Sequence, residues 1–91
     1  MQIDKIIIID SPVHLWNILR AKDENLDQCS DEIFIYLNHF SYYVDEYING
    51  CKCNEDENYA DMMNQYLLIQ ENNDVISHLI KCFECDKIEF K

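Results

Sequence analysis

The stretch SDEIFIYLNHFSYYVDEYING, residues 30–50, decides the fold because it predicts one long helix with apolar residues on almost every side. Ser30 suits the N-cap, and Gly50 is expected to end the helix in the left-handed conformation. One apolar stripe has the three-and-four spacing of a helix face: Ile33, Leu37, Phe40, Val44 and Tyr47. A helix of this kind lies at the centre of its domain or shares a face with a partner.

Aromatic side chains are dense in this helix, and five of them are candidate interface residues: Phe34, Tyr36, Tyr42, Tyr43 and Tyr47. A core built by 91 residues is too small to enclose them all. Tyrosine is common at interfaces because its ring is buried while its hydroxyl stays wet. The competing interpretation is a central helix wrapped by its neighbours. We favour an exposed aromatic surface.

Three further helices are expected around this one. Their starts are predicted at Ser11-Pro12 for a helix over residues 12–22, at Asn54 with Glu57 as a capping box, and at Asp74 after an Asn72-Asn73 break. Residues 3–9 are dominated by isoleucine and predict a short strand. Residues 87–90 alternate polar and apolar side chains and predict another, which pairs with the first or with another chain.

The expected fold is therefore mainly α, a small four-helix domain with short terminal β-strands that can pair. The whole chain, residues 1–91, is expected to form one helical domain, since its length leaves no room for two cores.

Acidic residues outnumber basic ones by 18 to seven, which gives a formal net charge of −11. This charge argues against direct binding to nucleic acid or an anionic membrane, both of which require a cationic surface. It favours solubility or a basic protein partner. No signal peptide or membrane-spanning run is visible in the sequence, so we expect a cytoplasmic protein.

Glu55, Asp56 and Glu57 form a candidate acidic surface. One interpretation is that these carboxylates imitate phosphates and occupy a basic groove. The other is that they stabilise the start of the third helix, where each contributes about 0.3–1 kcal/mol through the helix dipole.

Four of the five cysteines form two close pairs, Cys51 with Cys53 and Cys82 with Cys85. Thiolates from two short loops are suitable ligands for structural zinc, and the two-residue gap of the second pair is common in such sites. The one-residue gap of the first pair is less usual. The alternatives are buried free thiols and disulfides, although the odd cysteine count weakens a disulfide framework. We expect no cofactor, with zinc as the alternative.

Acid–base chemistry has no supporting pattern in this sequence. Three histidines, His14, His39 and His78, fall on three predicted helices without a recognisable spacing, and each is expected to be partly buried. Nucleophile-elbow, Walker and zinc-protease motifs are absent from the sequence. A non-catalytic protein is therefore expected.

The segments GCKCN at residues 50–54 and CDKIEF at residues 85–90 are similar to those of small uncharacterised proteins encoded by large tailed bacteriophages of gut bacteria. The resemblance covers about the C-terminal half of the chain. It implies a phage or phage-like origin and a non-enzymatic role, and it transfers no functional residue.

The expected function is a non-catalytic protein–protein interaction module, a phage-encoded virion or assembly component that oligomerises. The first alternative is an acidic anti-defence inhibitor that occupies the basic nucleic-acid-binding groove of a host protein. The second alternative is a zinc-stabilised adaptor. The expected partner is the protein itself or a basic host protein, in the host cytoplasm or in the virion.

Overall fold

The computed structural model describes residues 5–21 and 31–91 of the chain. These residues form β1 (Ile6–Ile9), α1 (Pro12–Ala21), α2 (Asp31–Asn49), a 3-10 turn (Lys52–Asn54), α3 (Glu55–Glu71), α4 (Asn73–Phe83) and β2 (Lys87–Phe90). The predicted fold class, mainly α with short terminal strands, is confirmed.

The first and last described elements, β1 and β2, pair in parallel from Ile6 with Lys87 to Ile9 with Phe90. Parallel strands need a crossover connection, and here the crossover contains the four described α-helices. The start of β1 is held by two hydrogen bonds. The Lys5 N–H donates to Asp86 Oδ2 at 2.7 Å, and the Asp86 N–H donates to the Lys5 carbonyl at 2.8 Å.

The strands alternate their side chains between the core and solvent, as the period of two requires. Ile9 and Ile88 are buried, whereas Ile6 and Ile8 are exposed on the outer face. The core lies between this sheet and the helices, and its buried members are Ile9, Leu15, Leu19, Leu37, Phe40, Val44, Met62, Tyr66, Ile69, Val75, Leu79, Phe83, Cys85 and Ile88.

The helix predicted from residues 30–50 is α2, and its core stripe is confirmed at Leu37, Phe40 and Val44. The predicted Ser30 cap lies outside the described residues. The prediction of a left-handed Gly50 is wrong, because Gly50 does not have a positive φ. Glycine is needed at this position because a Cβ would collide with the Glu46 carbonyl oxygen. The Gly50 N–H donates a hydrogen bond to the same oxygen.

The predicted helix starts have mixed outcomes. Ser11 caps α1, since its Oγ accepts a hydrogen bond from the His14 N–H at 3.1 Å. The Asn54 capping box is wrong, because the 3-10 turn leads directly into α3 and the Asn54 side chain makes no capping bond. The predicted Asp74 cap of α4 is also wrong. Asn72 caps this helix, and its Oδ1 accepts from the backbone N–H groups of Asp74 and Val75.

The end of α4 depends on Glu84, which adopts the left-handed conformation with φ 52° and ψ 44°. Its N–H donates to the Lys81 carbonyl, and the Cys85 N–H donates to the Ile80 carbonyl at 3.2 Å. These two bonds form a Schellman motif, which usually places glycine where Glu84 stands. The motif reverses the chain and directs it into β2.

Candidate interaction surface

Helices α2 and α3 pack side by side and determine which side chains face outward. The rings of Phe40 and Tyr66 stack between them with centroids 6.2 Å apart. Near the connecting turn, Asn58 Nδ2 donates to the Glu46 carbonyl at 3.3 Å. These contacts hold the two helices side by side as a hairpin, and this packing sets the relative positions of their outer side chains.

The structure divides the five predicted interface aromatics into two groups. Phe34 and Tyr42 are exposed, and Tyr42 is the most exposed large apolar side chain described, at 59%. Tyr36, Tyr43 and Tyr47 are half-buried and rest against the core. Tyr47 also contacts the exposed ring of Tyr59 on α3, with centroids 5.7 Å apart.

Helical geometry brings four α2 side chains to one side. Tyr36 and Tyr43 are seven residues apart, which is close to two full turns, and so are Ile35 and Tyr42. The Tyr42 and Tyr43 rings meet edge to face with centroids 5.3 Å apart, which joins the two rows. Phe34 lies on the opposite flank of α2, because it is two residues, or about 200°, from Tyr36.

A groove extends this side of α2 onto α3 and the start of α4. Its volume is about 480 Å³, and its walls are formed by Tyr36, Leu68, Glu71, Asn72, Asn73 and Asp74. We call the set Ile35, Tyr36, Tyr42, Tyr43 and Leu68 the tyrosine surface. Its rings and aliphatic side chains can pack against another apolar surface, and its hydroxyls and the groove's amides and carboxylates can form hydrogen bonds.

Seven exposed large apolar residues in the described ranges were not predicted as interface residues: Ile6, Ile8, Ile35, Ile48, Tyr59, Leu67 and Leu68. Leu67 and Leu68 are consecutive, and consecutive positions on a helix point about 100° apart. One stripe facing the core cannot accommodate both, so this pair was a signal in the sequence. In the structure, Ile69 takes the core position and both leucines face outward.

Glu55, Asp56 and Glu57 are all exposed in the first turn of α3. They follow the 3-10 turn and lie at the opposite end of α3 from Leu68. The candidate acidic surface therefore lies at the turn end of the hairpin, whereas Ile35, Tyr36 and Leu68 lie towards its other end.

The two cysteine pairs lie on different turns. Cys51 and Cys53 form a disulfide between α2 and α3. Cys85 is buried after α4, and its thiol points to the Ile80 carbonyl at 3.9 Å. Within residues 5–21 and 31–91, no group of three or more histidine, cysteine or acidic side chains is placed to hold a metal ion. The zinc site at Cys51, Cys53, Cys82 and Cys85 stays a prediction.

The histidines are not brought together by the fold. His78 Nε2 lies 3.1 Å from Cys82 Sγ one turn later on α4. Burial, and next the Lys81 ammonium, lower the pKa of His78. His14 Nδ1 lies 3.2 Å from Asp10 Oδ1. The expectation of partial burial is wrong for His39, which is exposed.

Neither a protein-family model, nor a curated protein, nor a solved structure matches this chain at a significant level. In the described part of the chain, no helix has the length and apolar character needed to cross a membrane.

Proposed function

We propose that this protein is a non-catalytic protein–protein interaction module that self-associates through the tyrosine surface, as a phage-encoded virion or assembly component. The observation that carries the proposal is that exposed apolar side chains, Ile35 and Tyr42 on α2 and Leu68 on α3, lie on the side of the hairpin that holds the groove. A large apolar patch on a soluble protein usually marks an interaction site.

The packing of the tyrosine side chains against the core supports this proposal. Tyr36 and Tyr43 are packed against the core on one side, so their rings are already ordered before a partner binds. Preordered side chains reduce the entropy cost of association, which is about 0.5–1.5 kcal/mol for each flexible side chain that becomes fixed. Apolar area buried at such a surface contributes roughly 25 cal/mol per Å².

The proposal is tested by light scattering over a dilution series at low and high salt. The subunit mass is 10.9 kDa, and we expect the average mass to rise with protein concentration. Added salt should strengthen association, because it screens the repulsion between subunits that each carry a charge of −11. A mass of one subunit at every concentration and salt level would contradict self-association.

The first alternative is an anti-defence inhibitor that occupies a basic nucleic-acid-binding groove. It is favoured by the exposure of Glu55, Asp56 and Glu57 in one helical turn. Binding to a basic DNA-binding protein should then weaken with salt, the opposite of the trend for self-association. The combined E55Q, D56N and E57Q variant should bind more weakly, whereas the control D31N and E32Q, in the first turn of α2, should not.

The second alternative is a zinc-stabilised adaptor that uses the four paired cysteines. Metal analysis of protein purified without chelator tests this idea. A zinc content below about 0.2 equivalents would exclude it, because a structural site of this kind is filled when the protein is folded.

A further inference from the structure

The turn between α2 and α3 carries two exposed cysteines whose side chains meet in a disulfide. Cys51 and Cys53 have Cα atoms 5.4 Å apart, with Lys52 between them. The sulfurs do not belong to the core, and both residues are exposed. External reagents can therefore reach this disulfide without any opening of the fold.

The turn is held in place by hydrogen bonds that do not involve sulfur. The Gly50 N–H donates to the Glu46 carbonyl at 2.8 Å, and Asn58 Nδ2 donates to the same carbonyl at 3.3 Å. The Asn54 N–H donates to the Cys51 carbonyl at 3.1 Å. These bonds keep the two cysteines close together when the disulfide is reduced. The disulfide can therefore form again without a rearrangement of the turn.

The disulfide itself contributes little to the stability of the fold. The stabilisation that a disulfide gives through chain entropy grows with the length of the loop it closes, and this loop spans only three residues. This cross-link is exposed, joins no distant elements and does not pack in the core. It therefore adds little to the stability of the fold. Exposed disulfides of this kind are typically the labile or catalytic ones.

We propose that Cys51 and Cys53 form an exchangeable dithiol–disulfide couple that reacts with low-molecular-weight thiols and disulfides. This proposal goes beyond the interaction role and does not depend on it, because the couple lies at the opposite end of α3 from Leu68.

The reaction is a two-step thiol–disulfide exchange. An external thiolate attacks one cysteine sulfur, the protein S–S bond breaks, and the other cysteine leaves as a thiolate. A second external thiolate then attacks the external sulfur of the mixed disulfide. It releases a low-molecular-weight disulfide and the second protein thiolate, and both protein thiolates take protons from water. Two electrons pass from the external thiols to the protein, and a low-molecular-weight disulfide reverses the reaction.

The charges around the couple select the reagent. Glu55, Asp56 and Glu57 follow Cys53 directly, and Lys52 offsets only one of these three negative charges. An anionic thiolate is repelled by this excess, whereas a thiol that carries an ammonium group is attracted. The couple should therefore react with cationic thiols in preference to anionic ones.

The test uses the oxidised full chain with cysteamine as the cationic thiol and 3-mercaptopropionate as the anionic thiol. Rates are compared at equal thiolate concentration, and the products are identified by differential alkylation and peptide mass. At low salt we expect cysteamine to react roughly tenfold faster, and in 0.5 M salt the ratio should fall towards one. Cys51 and Cys53 should be alkylated together, long before the buried Cys85, with far-UV circular dichroism unchanged.

The Cys53→Ser variant provides a second readout, because it removes the resolving thiol. With cystamine the reduced variant should accumulate a stable mixed disulfide at Cys51, whereas the reduced wild type should release two molecules of cysteamine for each cystamine and form its own disulfide. The proposal is overturned if reduction requires denaturant or unfolds the protein. It is also overturned if the wild type accumulates as much mixed disulfide as Cys53→Ser.

Discussion

The ring of Tyr42 meets the ring of Tyr43 edge to face, with centroids 5.3 Å apart and planes at 80°. Tyr43 rests on the core, whereas Tyr42 is largely exposed. The half-buried ring of Tyr43 thus supports the exposed ring of Tyr42 and restricts its orientation. Under the proposed self-association, Tyr43 contributes to stability and Tyr42 contributes to the contact between subunits.

Replacing each tyrosine separately should distinguish the contribution of Tyr43 to stability from the proposed contribution of Tyr42 to association. Tyr43→Ala removes half-buried ring area and should lower the free energy of unfolding by about 1–2 kcal/mol. Tyr42→Ala should change it by less than about 0.5 kcal/mol, because surface substitutions rarely do more. Urea denaturation of both variants, at concentrations where the protein is monomeric, provides the comparison. Equal losses would show that the two rings share one structural role.

The consecutive leucines on α3 offer a matched pair for the tyrosine surface. Leu67 is 48% exposed and Leu68 is 44% exposed, but only Leu68 lines the groove with Tyr36. Leu68→Lys should weaken self-association by at least tenfold, because it would leave a desolvated charge in the contact. Leu67→Lys should leave it nearly unchanged. Sedimentation velocity measures both, and an equal effect of the two variants would place the contact elsewhere.

Glu84 is a position where substitution should stabilise the fold. Its left-handed backbone costs a residue with a Cβ about 1 kcal/mol, a cost that glycine avoids. Glu84→Gly should therefore raise the free energy of unfolding by about 0.5–1 kcal/mol, after allowance for the greater flexibility of the unfolded chain. Glu84→Ala is the control, since it removes the charge but keeps the strain. If thermal unfolding shows that Glu84→Ala stabilises the protein as much as Glu84→Gly does, this account is contradicted.

Tyr66 should govern part of the alkaline stability. Its hydroxyl is buried without a hydrogen bond inside the described ranges. Burial, and next the Asp10 carboxylate, raise the pKa of Tyr66, and the nearby Gln70 amide only partly opposes this. The folded protein therefore holds the phenol proton more tightly than the unfolded chain does, so stability is lost as pH rises above about 10.

Tyr66→Phe should reduce that alkaline loss, because it removes the ionising group. At neutral pH it should be neutral or stabilising by up to about 1 kcal/mol, because an unsatisfied buried hydroxyl is removed. Tyr59→Phe, at an exposed ring, is the control and should leave the pH profile unchanged. Urea midpoints between pH 8 and 11 test this, and identical slopes for Tyr66→Phe and the wild type would contradict it.

The sequence predicts α2 well because its apolar spacing is regular, and Ser11 caps α1 as its residue type suggests. It does not predict the parallel register of β1 and β2, which depends on how the helical crossover packs. Gly50 shows why local rules fail: its position resembles a left-handed cap, but the real constraint is the nearby Glu46 carbonyl. This constraint comes from the helix backbone four residues earlier and needs no positive φ, so the residue type was right for a different reason.

The candidate surface was predictable only in part, because it depends on how α2 and α3 pack against each other. The density of tyrosine on α2 indicated exposed aromatics, but periodicity did not reveal which of them face α3. Leu68 joins the surface only because the hairpin brings it beside Tyr36 at the groove. Its neighbour Leu67 has the same residue type and similar exposure, so no single-residue property distinguishes the two.

Hydroxyl-radical footprinting at low and high protein concentration tests the tyrosine surface most directly. Tyr42 and Leu68 should lose reactivity as concentration rises, while Tyr59 and Leu67, which are similarly exposed in the single chain, should keep theirs. Unchanged reactivity of Tyr42 and Leu68 at concentrations where the mass has increased would contradict the account.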